Sequence, residues 1–296
     1  MKKPKIVIVV GPTASGKTSL SIALAKRFDG EVISADSRQI YQGLDLGSGK
    51  VTEEEMAGIP HHLLDVADPK EIYTAHNFKE DGEKALEDIL SRGKLPVIAG
   101  GTFFYIDMLL GRIQSPEVPP NPELRAELEK KDEKELFKEL LEKDPRRAGD
   151  IDRHNKVRLV RALEIVDALG HVPHEVSHEE YDILTIGIDI DKETLHKNIH
   201  IRLLERIDKG MIEEVERLHS EDVSWERLEV LGLEYRYIAQ YLQKKISREE
   251  MLETLESEIR KFAKRQMTWL KRDKNILWYK TNDEKIFEEV ERFLKD

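Results

Sequence analysis

The chain has 296 residues, enough for one large or two modest domains, and 39 % of them are hydrophobic. It contains no Cys, which excludes disulfides, a thiol nucleophile and a Cys-based zinc site, and its net charge of −11 argues against general nucleic-acid affinity. No apolar run approaches the roughly 20 residues that cross a bilayer. The apolar run before Gly11 is too short for a signal peptide, so we expect a cytoplasmic protein with no membrane partner.

The first predicted elements are a strand, a loop and a helix. Residues 6–10 are apolar and β-branched, and residues 17–28 place apolar side chains at helical spacing. The loop between them fits G-x-x-x-x-G-K-[ST] and consists of Gly11, Pro12, Thr13, Ala14, Ser15, Gly16, Lys17 and Thr18. In such loops backbone N–H groups surround a di- or triphosphate, the Lys contacts phosphate oxygens and the Ser/Thr hydroxyl ligates Mg²⁺. The pattern therefore predicts a phosphate site with Mg²⁺ on Thr18.

Two more predicted strands end in residues suited to a ligand site. Asp36 follows the strand over residues 31–35, and two glycines and Thr102 follow the strand over residues 95–99. Ligands of open parallel sheets bind beyond the carboxyl ends of the strands, so Asp36 is placed to act as a general base or Mg²⁺ ligand. An Asp at this point also caps turns. The later strand lacks the acid of many NTP hydrolases, which disfavours an ATPase.

The alternation of strands and helices over residues 1–110 predicts an α/β protein, whose core is a parallel sheet carrying the P-loop and flanked by helices. Three prolines in residues 115–121 interrupt the pattern. Beyond them, residues 122–143 and 155–169 predict charged amphipathic helices. A returning strand over 185–190 and long helices from 192, including 248–271, follow. We expect a core of residues 1–115 and 182–296 and a mostly helical insertion domain over 116–181.

Two stretches concentrate positive charge. Residues 143–161 contain seven Lys/Arg against three Asp, and residues 260–274 contain seven Lys/Arg against one Asp. Clustered positive charge on an acidic protein is typical of a polyanion site. Charge alone also fits a solvated helix face balanced by acidic neighbours.

The ordered set of motifs resembles the tRNA dimethylallyltransferase family, also called tRNA isopentenyltransferases. Besides the three strand ends, the matches run along nearly the whole chain: Gly58-Ile-Pro-His-His-Leu-Leu-Asp65, Asp68-Pro, Tyr73-Thr-Ala75, Gly101-Thr-Phe-Phe-Tyr105, Pro122-Glu-Leu-Arg125, Asp144-Pro, Arg158-Leu-Val-Arg-Ala-Leu-Glu164, Arg202 before Gly210, Glu213-Glu-Val215 and Ala263-Lys-Arg-Gln-Met-Thr-Trp269. One segment departs from the family, which usually has Gly-Tyr-Lys/Arg-Glu where this chain has Gly232-Leu-Glu-Tyr-Arg236.

The resemblance implies transfer of a dimethylallyl group from dimethylallyl pyrophosphate to the N6 amine of the adenine immediately 3′ of the anticodon. The tRNAs concerned read codons starting with U, and pyrophosphate is released. The P-loop, Lys17, Mg²⁺ on Thr18 and Arg202 would stabilise the departing pyrophosphate. Asp36 would accept the amine proton. We expect a monomer whose partners are tRNA and dimethylallyl pyrophosphate.

The resemblance also implies contacts to tRNA, because the target base must leave its stack to reach a catalytic site. Residues expected to line the adenine site are Asp36, Ser37, Arg38 and Gln39, and the amide of Gln39 suits an adenine edge. Further expected contacts are Thr102, Arg125, Arg158, Arg161, Lys264, Arg265, Gln266 and Trp269. Trp269 also shares a helical stripe with Phe262 and Gln266, which is typical of core packing.

The residues alone leave other roles open. His61 and His62 are adjacent and make a poor zinc site, so we expect loop packing there; Asp65 and Asp68 suit either the pyrophosphate or turns. A nucleotide kinase, or a prenyltransferase of free AMP, would use the same P-loop. A kinase usually has an arginine-rich lid, and free AMP needs no helical insertion. A non-catalytic RNA-binding module needs neither the P-loop nor Asp36.

Overall fold

The computed structural model describes residues 3–113, 116, 118–173, 180–281 and 283–296. The chain forms two compact units. Met1–Leu110 and Glu179–Asp296 make the first, called here the α/β unit, and Gly111–His178 make the second, called the helical unit. None of the helices in the described ranges is long and apolar enough to cross a membrane.

A parallel sheet forms the centre of the α/β unit, with strand order β3-β2-β4-β1-β5-β6. Its strands are β1 (Lys5–Val10), β2 (Gly30–Ser34), β3 (His61–His62), β4 (Leu95–Ala99), β5 (Asp182–Asp189) and β6 (Leu277–Lys280). Along β1, Val7 and Val9 pack on one face of the sheet, and Ile6 and Ile8 pack on the other. A strand buried on both faces is expected to be continuously apolar, as this one is. The predicted parallel α/β core is confirmed.

The helices of the α/β unit cover the sheet and form a second core beside it. They are α1 (Lys17–Arg27), α2 (Glu53–Met56), α3 (Ala75–Ser91), α4 (Phe103–Leu109), α9 (Lys192–Asp208), α10 (Met211–Ser220), α11 (Trp225–Leu231), α12 (Leu233–Leu242), α13 (Arg248–Leu270) and α14 (Lys285–Lys295). Helix α9 buries Leu195, Ile199, Leu203 and Ile207 at a spacing of four residues, against apolar side chains of α10 to α13. Helical spacing leaves the other faces of α9 available for a ligand site.

The helical unit contains α5 (Pro122–Leu128), α6 (Glu133–Lys143), α7 (Pro145–Asp150) and α8 (Lys156–Leu169) around their own apolar core. The helix predicted over residues 122–143 is two helices. The carboxylate of Asp132 accepts the N–H groups of Lys134 and Glu135, and Glu135 accepts the N–H of Asp132. This capping box begins a new helix, which is why a single amphipathic pattern is interrupted.

Candidate active site

Most of the predicted P-loop lies on one wall of an open cavity of about 1010 Å³, beyond the carboxyl ends of β1, β2 and β4. The cavity brings together Asp36, Gln39, Arg202, Gln266 and the loop residues Thr13 to Thr18. The first two residues of the loop, Gly11 and Pro12, are buried and do not line the cavity. Residues separated by more than 200 positions thus meet at the sheet edge where open α/β folds bind ligands.

The P-loop is held in a strained conformation by two side-chain amides. Ala14 has a φ of 59°, a left-handed value that costs a non-glycine residue about 1–3 kcal/mol. Asn198 Nδ2 donates to the Ala14 carbonyl at 3.2 Å, and Gln266 Oε1 accepts the Thr13 N–H at 2.8 Å. The Ser15 hydroxyl is buried and has no hydrogen-bond partner among the described residues. A phosphate oxygen is a suitable partner for such a hydroxyl.

Lys17 carries its charge in an unfavourable environment. The pKa of its ammonium group is lowered to about 8, chiefly by burial and also by the nearby charge of Arg202, whereas Asp36 acts in the opposite direction. The Nζ atom donates to the Pro12 carbonyl at 2.7 Å. A bound anion would restore the pKa of Lys17, so the residue is poised for a phosphate group.

Two arginines on α9 extend the positive wall. Burial lowers the pKa of Arg202 to about 10, helped by the charge of Arg206, and burial also lowers the pKa of Arg206. Arg206 Nη1 lies 3.9 Å from Glu234 Oε1, and burial raises the pKa of that carboxyl group. Neither arginine has a closer carboxylate partner among the described residues. Guanidinium groups paired so weakly favour an anionic ligand on this wall, while other parts of the lining carry the acids Asp36, Glu55, Asp189, Asp191 and Glu205.

Asp36 combines the two roles considered for it. Its Oδ1 accepts the Arg38 N–H at 2.9 Å, which is the turn role, and the same carboxylate lines the cavity. The neighbouring Ser37 N–H donates to Thr102 Oγ1 at 3.0 Å. The adjacent strand end approaches closely, since a Cβ on Gly100 would overlap the Ala35 carbonyl. The turn orients the carboxylate without withdrawing it from the site.

The amide of Gln39 is engaged within the protein. Its Oε1 accepts the Ser34 hydroxyl at 2.9 Å, and its Nε2 donates to the Gly49 carbonyl at 3.2 Å. Arg202 Nη2 donates to the same carbonyl at 3.3 Å. Gly49 has a φ of 64°, and a Cβ there would overlap the Arg206 guanidinium. Residues 48 and 49 therefore form a wall of the cavity that the sequence did not reveal.

The buried carboxylate of Glu214 stabilises the segment that leads into this wall. Glu214 is 7 % exposed and accepts the N–H groups of Asp45, Leu46 and Gly47 at 3.1, 2.7 and 3.0 Å. It also accepts the Tyr235 hydroxyl at 2.9 Å. The departure from the family motif noted above thus has a structural role, because Glu234 faces Arg206 and Tyr235 completes the shell of Glu214.

Sequence reasoning also missed one face of α9. Thr194, Asn198 and Glu205 line the cavity together with Arg202, and their spacing from Arg202 by eight, four and three residues was the available signal. Ile201, next to Arg202, lines the cavity as well. His61 lines the cavity too, with Nδ1 2.8 Å from the Ile59 carbonyl. His62 packs away from it, with Nε2 2.7 Å from Glu31.

Asp65 and Asp68, the two acids considered for the pyrophosphate site, both contact loop residues. Asp68 Oδ1 accepts the Lys70 N–H at 2.8 Å, which is a turn contact. Asp65 Oδ1 accepts Lys50 Nζ at 2.5 Å, and Asp45 shares that ammonium group at 2.7 Å. The contact of Asp68 agrees with a turn role, whereas the contact of Asp65 is an ion pair with Lys50.

The basic stretch on α13 presents a separate shallow groove. It is lined by Lys261, Lys264, Arg265, Thr268, Trp269 and Arg272. The Arg272 guanidinium lies 5.6 Å from the centre of the Trp269 ring, within cation–π distance. Trp269 also packs partly against the core of the α/β unit, so both of its predicted roles are compatible with the structure.

In the helical unit, two of the predicted tRNA contacts are paired with a buried acid. Arg125 Nε and Nη2 each donate to Glu164 at 2.7 Å, and Arg161 Nη1 donates to it at 3.2 Å. Burial alone would raise the pKa of Glu164, but the hydrogen bonds lower it overall. Arg158 is exposed on α8. Of the three arginines, Arg158 presents the most accessible charge.

The donor set fits Mg²⁺ carried chiefly by a phosphate ligand. The described part of the chain has no cluster of three or more His, Asp or Glu side chains that would hold a metal by itself. Thr18 is exposed at the start of α1 and lines the cavity beside Lys17. Mg²⁺ typically keeps several waters and takes one or two protein ligands in addition to substrate phosphates.

The fold and the cavity define a P-loop α/β protein in which Lys17 and Arg202 line the same cavity as the carboxylate of Asp36. A family model described as IPP transferase matches residues 39–273. The chain belongs to the IPP transferase family. This confirms the resemblance seen in the motifs.

Relatives and solved structures agree with this assignment. The chain is 48 % identical to tRNA dimethylallyltransferase 2 of Treponema denticola, over 91 % of this chain and 92 % of the relative. It is 39 % identical to the tRNA dimethylallyltransferase of Thermomicrobium roseum, over 100 % of this chain and 93 % of the relative. The crystal structure of the tRNA isopentenylpyrophosphate transferase of Bacillus halodurans superposes with a TM-score of 0.74 at 33 % identity, covering 99 % and 96 %. The crystal structure of a eukaryotic dimethylallyltransferase acting on tRNA superposes with a TM-score of 0.81 at 27 % identity, covering 94 % of this chain and 74 % of the other.

Proposed function

We propose that this protein transfers the dimethylallyl group of dimethylallyl pyrophosphate to the N6 amine of the adenine immediately 3′ of the anticodon, in tRNAs that read codons starting with U. The observation that carries the proposal is the shared cavity. A cationic cradle of Lys17, Arg202 and the Ser15 hydroxyl opens into the same space as the Asp36 carboxylate. Allylic transfer to a weak nucleophile needs both elements at one place.

The cradle serves the leaving group. As the bond between the allylic carbon and the pyrophosphate oxygen breaks, its electron pair moves to the oxygen, and negative charge accumulates there. Lys17 and Arg202 provide preorganised positive charge that is poorly solvated beforehand, so its interaction with this growing charge is strong. When bound, Mg²⁺ on Thr18 and the substrate oxygens would neutralise further charge.

Asp36 serves the acceptor. The adenine amine is a poor nucleophile because its lone pair is delocalised into the ring. The new carbon–nitrogen bond uses this lone pair, and the proton released from nitrogen passes to the Asp36 carboxylate. The bond from the Arg38 N–H to Oδ1 fixes the orientation of that carboxylate. General base catalysis of this kind typically contributes about 10²- to 10⁴-fold.

The tRNA is proposed to contact several exposed groups on each unit. On α13 these are Lys264, Arg265 and Trp269, where cationic and aromatic side chains adjoin. In the helical unit Arg158 supplies free positive charge, while Arg125 and Arg161 contribute the edges that Glu164 leaves exposed. Ser37, Arg38, Gln39 and Thr102 are proposed to surround the extruded base. We propose that the protein acts as a cytoplasmic monomer.

The reaction is tested directly with an unmodified anticodon stem-loop RNA, dimethylallyl pyrophosphate and Mg²⁺, followed by nucleoside mass spectrometry. The expected product is N6-dimethylallyladenosine at the nucleotide 3′ of the anticodon. Free AMP replaces the RNA in a parallel reaction, and ATP replaces the prenyl donor in another. Efficient prenylation of AMP, or phosphate transfer from ATP, would favour the small-molecule enzymes instead.

The role of Asp36 is tested by Asp36→Ala. We expect turnover to fall at least about tenfold, because the amine proton loses its acceptor. Affinity for the stem-loop, measured by filter binding, should be largely retained. Asp88→Ala on the exposed surface of α3 is the matched control, since it removes a carboxylate that does not line the cavity. Equal turnover of both variants would refute the assigned base.

A further inference from the structure

The two faces of α13 differ in what they contact. Lys264, Arg265 and Thr268 are exposed on the basic groove, whereas Gln266 is only 5 % exposed. Family resemblance groups Gln266 with its neighbours as a contact to tRNA. Its side chain instead points to the interior of the α/β unit, where the P-loop and the end of β4 come together.

The Gln266 amide uses both its acceptor and its donor there. Oε1 accepts the Thr13 N–H of the P-loop at 2.8 Å, and Nε2 donates to the Gly101 carbonyl at 3.2 Å. A Cβ on Gly101 would lie 2.6 Å from Nε2, so the absence of a side chain there allows the approach. A carboxylate lacks the donor and a hydrocarbon lacks both groups, so an amide satisfies the two partners best.

The contact continues from Gly101 towards the acid. Gly101 is followed by Thr102, whose hydroxyl oxygen accepts the N–H of Ser37, the residue next to Asp36. Gln266 therefore connects the loop that binds the phosphates with the loop that presents the carboxylate. It does so from a helix whose opposite face is exposed and basic.

We propose that Gln266 is a positioning residue that sets the separation between the diphosphate cradle and Asp36. This inference rests on the proposed function for its catalytic consequence. Prenyl transfer requires the allylic carbon to be held close to the adenine nitrogen while the diphosphate stays in its cradle. An error of about 1 Å in such an arrangement costs about 10²-fold in rate. The strained φ of Ala14 makes the P-loop dependent on contacts of this kind.

The test compares Gln266→Met with Gln266→Glu. Methionine keeps the length but removes both hydrogen bonds, whereas glutamate keeps an acceptor for Thr13 and loses the donor to Gly101. We expect Gln266→Met to lower kcat about 10- to 100-fold and to weaken binding of inorganic pyrophosphate, measured by calorimetry without RNA. The KM for the stem-loop should stay within about twofold. Gln266→Glu should also lower kcat, by less than Gln266→Met does, because it keeps the hydrogen bond from the Thr13 N–H.

Lys264→Ala is the matched control, because it removes an exposed side chain from the same helix two residues away. It should leave pyrophosphate affinity unchanged and alter only the dependence on RNA. If Gln266→Met instead raised the KM for RNA and kept pyrophosphate affinity and kcat, Gln266 would be a tRNA contact and the proposal would be wrong.

Circular dichroism establishes that each variant is folded, and Gln266→Glu carries the test should Gln266→Met unfold. A wild-type chain that fails to prenylate RNA would overturn the proposed function, and the pyrophosphate titration would still measure the effect of Gln266 on the P-loop.

Discussion

Each unit contains a cluster of two arginines and one glutamate, and the distances between the charged groups differ between the two clusters. In the helical unit, Glu164 accepts hydrogen bonds from Arg125 and Arg161 at 2.7 to 3.2 Å, and this pairing raises the pKa of Arg125. In the α/β unit, Arg206 approaches Glu234 only to 3.9 Å, and the pKa values of Arg202 and Arg206 are lowered. In the helical unit, the arginines therefore have a close carboxylate partner within the protein. In the α/β unit, Arg202 and Arg206 lack such a partner among the described residues and are available to an anionic ligand.

The comparison teaches that composition does not distinguish a structural ion pair from a binding site. The deciding quantity is whether the carboxylate completes the hydrogen-bonding needs of the cations. Glu164 does so, and it stabilises a folded unit. Glu234 does not, because it lies 3.9 Å from Arg206 Nη1, beyond hydrogen-bond distance. Function is concentrated where charge stays unbalanced.

The largest expected effect comes from removing the unbalanced charge. Arg202→Gln should lower turnover by about 10²-fold or more, since it deletes one of the groups that we propose to stabilise the departing pyrophosphate. The melting temperature should be unchanged or slightly higher, because a poorly solvated cation is lost. Arg292→Gln on exposed α14 removes a guanidinium outside the cavity and serves as the control. A marked loss of stability in Arg202→Gln would place that residue with the structural cluster.

The satisfied cluster should show the reverse pattern. Arg125→Met leaves the buried carboxylate of Glu164 with fewer donors, and we expect a loss of about 2 kcal/mol in the free energy of unfolding, measured by urea denaturation. That figure already allows for the partial exposure of Arg125. Turnover at saturating RNA should change little. Lys131→Met, which breaks an ion pair with Glu139 on the helical unit, should cost much less.

The third prediction concerns pH. Because the pKa of Lys17 is lowered to about 8 and a bound anion raises it, pyrophosphate binds the protonated form more tightly. Affinity should therefore be highest below pH 8 and fall about 5- to 10-fold between pH 7 and pH 9, as free Lys17 loses its proton. Calorimetric titrations across this range measure the change. Lys17→Arg keeps its charge at these pH values and should show a flatter profile.

The smallest effect is expected behind the cavity wall. Tyr235→Phe removes one of the four hydrogen bonds to Glu214 and should cost about 1 kcal/mol of stability. A modest rise in the KM for dimethylallyl pyrophosphate should accompany it, because residues 45–49 support the carbonyl that holds Arg202. Tyr237→Phe on the same helix, whose side chain packs at the edge of the core, is the control. Full wild-type stability and KM in Tyr235→Phe would indicate that the three N–H donors suffice.

The sequence by itself determined the elements whose signals are local. Strand β1, the P-loop and helix α1 are contiguous, and the alternation of strands and helices predicts the parallel core, whose central strands β1 and β4 are apolar because both of their faces are buried. The short edge strands β3 and β6 carried too few residues for a pattern. The ordered motifs also sufficed to recognise the family, because each motif is a contiguous run of residues that can be identified without knowing the tertiary structure.

Only the tertiary structure decided which side of a helix faces the site and which charges are paired. Gln266 contacts Thr13 across 253 positions, and Glu214 contacts residues 45–47 across more than 160. The chain between such partners places no local constraint on either of them. The pairing of Arg125 with Glu164 and the isolation of Arg202 depend in the same way on packing. Two arginines and a glutamate form a close ion-pair cluster in the helical unit and part of the proposed ligand site in the α/β unit, because packing sets different distances between the charged groups.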